Sequence, residues 1–259
     1  VTQNIVDRVE FLLFAAGKRQ ILHNVFAQPD QPADFCSGQE HLDMLNLQQV
    51  FRVIKQNLND IVIAAHDAKT GKELWKFFVT AAPGEPGGDT WADMPVNQRA
   101  AGPWGLPGSY DPKRKLIYWG VANPNPYTRL TRHGRHDAVS FTAPANLYSN
   151  STLALDINTG KLAWYYQELP GDDWDADHNQ ERILIRTRVN PDPKHVKWIA
   201  SALPRNQERD LVVTVGEGGG MFVLDQESGK FLWANPFPYD DPNINMNHID
   251  LDTGATRVN

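Results

Sequence analysis

Four carboxylates fall within six residues in the stretch Gly171-Asp172-Asp173-Trp174-Asp175-Ala176-Asp177-His178. Beyond Trp174 the acids alternate with other residues, and in an extended segment side chains two positions apart point the same way. Asp175 and Asp177 are therefore predicted to face one side, where two hard oxygen donors make a site for a divalent or trivalent cation. The stretch follows a strand-like run from Leu162 to Gln167. That places it at a strand end, where functional loops are mounted on rigid structure. On composition alone the same acids also suit a solvated loop, so that reading stands beside the metal reading.

The elements that must position these acids are strands. At 259 residues the chain has the length of one large domain or two ordinary ones. Its 8 Trp, 18 Pro and 19 Gly point to a loop-rich all-β protein with aromatic packing. A net charge of −6 without a basic stripe argues against nucleic-acid binding as the main activity. The longest apolar run near the N-terminus, Phe11 to Ala16, is too short for a membrane span. It also lacks the flanks of a secretory signal. The single cysteine, Cys36, excludes an internal disulfide and a cysteine-rich metal site. In residues 1–58, Arg8 to Phe26 and His41 to Leu58 carry apolar residues at three- and four-residue spacing, which predicts two amphipathic helices around a Pro-rich break. His23 and Cys36 read there as ordinary residues rather than ligands.

From about Ile61 the period becomes strand-like and a repeat begins. Ala65-His-Asp-Ala-Lys-Thr-Gly-Lys-Glu-Leu-Trp75, Leu155-Asp-Ile-Asn-Thr-Gly-Lys-Leu-Ala-Trp164 and Leu224-Asp-Gln-Glu-Ser-Gly-Lys-Phe-Leu-Trp233 each read as a strand, a turn and a strand carrying Trp. Glycine supplies the positive-φ position, and the Asp and Thr or Ser side chains bond the turn backbone. Leu251-Asp-Thr-Gly254 resembles a degenerate fourth copy, and further strands are predicted at Leu116 to Gly120, Ile183 to Arg186, Val196 to Ile199 and Leu211 to Val215. Repeating hairpins with a periodic Trp predict a β-propeller over residues 59–259, with 1–58 a separate N-terminal segment. Three or four such units do not close a ring. The chain, which begins with Val, reads either as part of a longer protein or as an arc completed by another copy in a homodimer.

The repeat resembles the tryptophan-docking motif of the pyrroloquinoline quinone (PQQ)-dependent alcohol dehydrogenases, eight-bladed propellers of the methanol/ethanol dehydrogenase type. The likeness continues through Gly102-Pro-Trp-Gly-Leu-Pro-Gly-Ser-Tyr-Asp-Pro112, Tyr118-Trp-Gly-Val-Ala-Asn-Pro-Asn-Pro126, Asn146-Leu-Tyr-Ser-Asn-Ser-Thr-Leu-Ala-Leu-Asp156 and the acidic stretch. By that resemblance Trp104 is the indole on which the quinone stacks, and Asn123 binds the metal through its side-chain oxygen. Asp175 binds or borders the metal and is the general base. Asp177 is the additional aspartate typical of lanthanide-dependent members, so the resemblance implies Ca2+ or a lanthanide beside PQQ. Core packing for Trp104 and a plain turn role for Asn123 are the structural alternatives. Asp172 and Asp173 read as solvated acids or partners of the ligands, and His178 as a neighbour or surface residue. Tyr165 and Tyr166 are expected to pack between blades. The resemblance implies oxidation of an alcohol, by family default a primary one, to an aldehyde in the periplasm, with electrons passed to a c-type cytochrome. No haem-attachment motif occurs in this sequence.

Three departures qualify that reading. The segment Val53 to Ile61, just before the first repeat, has no Glu where the family places a metal-binding one, and Cys36 alone cannot form the family's vicinal disulfide. Glu217, in Val215-Gly-Glu-Gly-Gly-Gly-Met221, stands where the family usually has a cation near the quinone carbonyl, a role that Lys230 or a neighbouring segment could alternatively fill. The competing function class is a non-catalytic propeller scaffold, or an inactive relative, that binds a protein partner. A third is a propeller in which the metal at Asp175 and Asp177 is structural.

Overall fold

The computed structural model describes residues 61–103, 106–237 and 248–258, together with the backbone of the strands at 14–15, 18–19 and 49–55. Almost every regular element is a strand. β1 (Phe14–Ala15) pairs with β2 (Lys18–Arg19). The first blade runs β3 (Gln49–Lys55), β4 (Ile61–Asp67), β5 (Glu73–Phe78). After the two-residue β6 (Ala100–Ala101), the second blade is built from β7 (Ser109–Asp111), β8 (Leu116–Val121), β10 (Ser151–Asp156) and β11 (Leu162–Gln167), adjacent in that order. The short β9 (Pro124–Asn125) pairs back onto β6. In the third blade β12 (Ile183–Val189), β14 (Gln207–Gly216), β15 (Gly220–Asp225) and β16 (Phe231–Pro236) follow one another, with β13 (Trp198–Ile199) on the outer edge. β17 (His248–Ile249) and β18 (Thr256–Arg257) start a fourth. Among the described residues the sheets form an open arc, and no helix is long and apolar enough to cross a membrane.

The helices predicted over Arg8 to Phe26 and His41 to Leu58 are corrected wherever those stretches are described. There they are β1, β2 and β3. In β3, Val50, Phe51, Val53 and Ile54 are β-branched or aromatic types that favour extended backbone. Their spacing also satisfies a helix, but β3 pairs with β4 along its whole length, from Gln49 opposite Asp67 to Lys55 opposite Ile61. A full ladder to a buried strand satisfies the backbone groups of both, and tertiary pairing overrides the local period. His23, Cys36 and the remainder of these stretches lie outside the described residues.

The Asp turns are built alike. Asp67 Oδ1 accepts from the backbone of Lys69 and Thr70 and from Thr70 Oγ1. Asp156 repeats this with Asn158 and Thr159, and Asp225 with Ser228. Asp250 does so with Asp252 and Thr253, so Leu251 to Gly254 is a fourth copy of the turn. The turns at Asp156, Asp225 and Asp250 each seat an aromatic ring from the preceding blade. Trp75 lies on Gly160 and donates its indole N–H to Ile157 O at 2.8 Å. Trp164 lies on Gly229, where the equivalent carbonyl, Gln226 O, is taken instead by the Tyr118 hydroxyl. At the third junction the structure departs from the sequence pattern. Phe231, two residues before Trp233, covers Gly254, while Trp233 packs against a separate cluster with Val223 and Leu211.

Alternate residues of the second blade face opposite ways. Ile117, Trp119, Leu153 and Leu155 enter the core shared with Ile63 and Trp75 of the first blade. Tyr118, Ala154, Trp164 and Tyr166 enter the core shared with Val212, Phe222 and Leu224 of the third. A sheet covered on both faces buries nearly continuous apolar runs, as β8 and β10 do. Tyr166 stacks on Phe231 at 6.2 Å and bonds Gly254 O, which makes it an inter-blade residue as expected. Tyr165 is more exposed and meets the edge of Tyr148.

Candidate functional site

The Asp turns occupy one end of the second and third blades, and the predicted site residues occupy the other. Backbone bonds continue there past the strand ends, from Ala122 N to Gly102 O, Asn150 N to Ala122 O and Glu168 N to Asn150 O. With β6 paired to β9, this stitching fixes the path of Asn123 immediately beyond β8. Trp104 lies outside the described residues.

Asn123, Asp175 and Asp177 come together. Asn123 is 4% exposed, and its side-chain amide donates to Asp175 Oδ1 at 2.6 Å. Its backbone N–H donates to Asp177 Oδ1 at 3.4 Å. A half-turn of the amide exchanges its nitrogen for its oxygen, so the position now bonded to Asp175 can equally offer an oxygen. Two carboxylates and an amide are the donor chemistry that Ca2+ or a lanthanide requires, and they fit in kind. They fall short in number, because no group of three His, Cys, Asp or Glu side chains suited to a metal occurs among the described residues. The extended geometry expected for this stretch is corrected: Asp175 has φ +63°, a left-handed conformation. With the loop folded around Asp175, both aspartates reach Asn123.

Asp172 does the folding. Its two oxygens accept from Trp174 N and Ala176 N, both at 2.9 Å, bracketing Asp175. It is fully buried rather than a solvated loop acid, and burial pushes its carboxyl up to about 6. Asp173 caps the neighbouring chain, accepting Arg129 N at 2.5 Å with His136 Nδ1 at 3.3 Å. A short helix, Arg129–His133, begins at the Thr128 cap and supplies two buried arginines beneath the loop. Arg129 donates to Gly171 O and Pro170 O, and Arg132 to Asp172 O. Desolvation lowers both guanidinium pKa values, that of Arg132 to about 10. Sequence reading misses these arginines, since no local motif ties residues 129–132 to a loop some forty positions later.

On the far side of the loop, Glu217 N donates to Asp177 O at 2.9 Å, and Asp177 N reaches Glu217 Oε2 at 3.2 Å. An acid therefore does stand at this edge of the site. Lys230 is an exposed residue of the third Asp turn, at the opposite end of β15, and cannot fill the cationic role. His178 is 1% exposed, and neither ring nitrogen has a partner among the described residues. Its ring fills the space left by Gly216 and Gly218 and meets Phe222 edge-on at 6.1 Å. Burial, with Arg182 nearby, pushes its pKa down to about 3. Between pH 6.5 and 3 the unfolded chain binds a proton at this histidine that the folded chain refuses, so its contribution to stability falls with falling pH across that window. His178→Asn is expected to remove this slope, by up to ~1.4 kcal/mol per pH unit, when urea unfolding is compared at pH 6.5 and pH 4.5. Identical slopes for the two proteins would contradict it.

Sheets joined by docked aromatic rings, with a loop of oxygen donors at the end opposite the Asp turns, define a β-propeller of the tryptophan-docked type. Residues 47–236 match the family described as PQQ, glucose/ethanol/alcohol dehydrogenase, β-propeller domain, and the chain belongs to that family. A quinohemoprotein alcohol dehydrogenase, ADH IIB, of Pseudomonas putida is 33% identical over 190 residues, covering 68% of this chain and 24% of that protein. A quinoprotein ethanol dehydrogenase of Pseudomonas putida is 31% identical over 215 residues, 73% of this chain and 31% of that protein. Among solved structures, the quinohemoprotein alcohol dehydrogenase of Comamonas testosteroni superposes with a TM-score of 0.63 at 24% identity, over 82% of this chain and 30% of that one. A europium-containing methanol dehydrogenase gives 0.58 at 22% identity, over 74% and 33%. These two likenesses concern the fold. The chain spans less than a third of the length of the two Pseudomonas putida relatives.

Proposed function

We propose that the chain supplies the metal-binding side of a PQQ-dependent alcohol dehydrogenase that oxidises alcohols, primary ones by family resemblance, to aldehydes. The observation that supports this reading is that Asp175 and Asp177 both meet Asn123, one at its side chain and one at its backbone, across two separate loops. Asn123 and the two aspartates would hold the cation, and by the family resemblance the indole of Trp104, a flat apolar group, would stack on the quinone. When bound, the metal and quinone together supply an electrophilic carbonyl able to accept two electrons. Asp175, exposed at the loop's apex, accepts the hydroxyl proton of the alcohol. Asp177 would supply a second carboxylate, and so a second negative charge, to a bound cation. The electrons leave to a c-type cytochrome, and the reading places the protein in the periplasm.

Titration of the purified chain with PQQ in the presence of Ca2+ or La3+, followed by absorbance and dye reduction, tests this. Saturable quinone uptake that requires metal and is tighter with La3+ is expected. A folded chain that takes up no quinone with either ion would favour a non-catalytic propeller.

A further inference from the structure

Beneath the aspartate loop lies a fully buried ion pair that the proposed chemistry does not use. Arg182 and Glu168 are each 1% exposed, with Arg182 Nη2 3.6 Å from Glu168 Oε1. Two charges taken out of water cost more than an apolar pair of similar volume, so such a pair is weak evidence for stability alone. The surroundings are shaped for it. Gly120 lies under the guanidinium, and a Cβ there would overlap Arg182 Nη1. Thr152 Oγ1 accepts from Arg182 Nε at 2.9 Å and donates to Glu168 Oε1 at 2.5 Å, while Ser109 Oγ donates to the Arg182 carbonyl.

The remaining guanidinium donors turn back on the loop. Nη2 donates to His178 O at 2.7 Å and Nη1 to Gln180 O. These carbonyls belong to the first and third residues after Asp177, whose own backbone is clamped by Glu217. Glu168, whose backbone N–H is bonded to Asn150 O at the end of the second blade, anchors the guanidinium to that blade.

We propose that Arg182 and Glu168 are positioning residues, which fix the Asp175–Asp177 loop to the inter-blade junction and so preset the cation site. The consequence for metal binding rests on the site reading above; the positioning itself does not. Partners that orient metal ligands typically change affinity about 10- to 100-fold when removed.

The test uses the 259-residue chain with Arg182→Met, Glu168→Thr and the double variant. Three readouts are taken: thermal melting, hydrogen exchange of the 175–182 segment without metal, and Tb3+ titration read by its luminescence. The single variants strand a buried charge or leave an anchor unpaired, and both lower the melting temperature. The double variant removes both charges and recovers the melting temperature. Its 175–182 amides nonetheless exchange about tenfold faster than wild type, and it binds Tb3+ about tenfold more weakly. A double variant with wild-type exchange in this segment overturns the positioning role whatever the metal does. Faster exchange with unchanged Tb3+ affinity supports positioning but overturns its extension to the cation site. Wild-type protein that binds no Tb3+ overturns the site reading itself, while the exchange result still decides the positioning.

Discussion

Asp175→Asn is expected to weaken Ca2+ and La3+ binding by on the order of 100-fold, ~2.8 kcal/mol, and to abolish PQQ-dependent dye reduction. Asparagine is the informative replacement. Asp175 sits at φ +63°, a conformation that costs most residues about 1–2 kcal/mol but that Asn, like Asp, visits readily. The substitution therefore removes the negative charge and the proton acceptor without straining the loop. Asp172 remains to bracket positions 174 and 176, so the fold of the segment persists. The melting temperature is expected to match wild type. A large fall in melting temperature with dye reduction retained would show that the metal here is structural, and that another group takes the proton.

The largest expected effect on stability belongs to a glycine. Gly229→Ala places a methyl group inside the ring of Trp164, in a residue at φ +68°. The left-handed conformation alone costs about 1–2 kcal/mol. Moving a packed indole adds an overpacking cost of about 1–3 kcal/mol. Together they amount to roughly 3 kcal/mol, a fall of about 6–12 °C in melting temperature for a chain of this size. Gly71→Ala supplies the control. It has φ +71°, but among the described residues nothing lies within 4 Å of the added carbon. The conformational cost, roughly 1.5 kcal/mol, is what applies, and a fall of about 3–6 °C is expected. Equal shifts for the two variants in a calorimetric scan would show that the ring on Gly229 contributes nothing.

The two variants also mark what a repeat motif conveys. Asp67, Asp156, Asp225 and Asp250 lie in turns with the same bonds, because a turn is specified by residues within four positions of one another. What covers each turn is another matter. The shared Trp of the third copy, Trp233, is turned to a local cluster, and Phe231 takes the place on Gly254. The neighbouring blade decides which aromatic ring fits, and a single-blade motif has no access to that.

The sequence by itself determined the period of the strands, the chemistry of the Asp turns and the acidity of residues 172–177, all of them local properties. It also contained Asn123, Asp175 and Asp177 as oxygen donors. Only the tertiary structure decided that they meet, since Asn123 leaves β8 and the aspartates follow β11, joined through backbone bonds across β10. It also decided that Gln49–Lys55 is a strand, because a ladder to β4 outweighs a spacing that two conformations satisfy equally. Asp172 and Asp175, three residues apart in one acidic run, were separated by the fold into a buried loop brace and an exposed apex. The reason is the same in each case. Burial and charge pairing depend on groups brought together from distant parts of the chain, as Arg129, Arg132 and Arg182 are here.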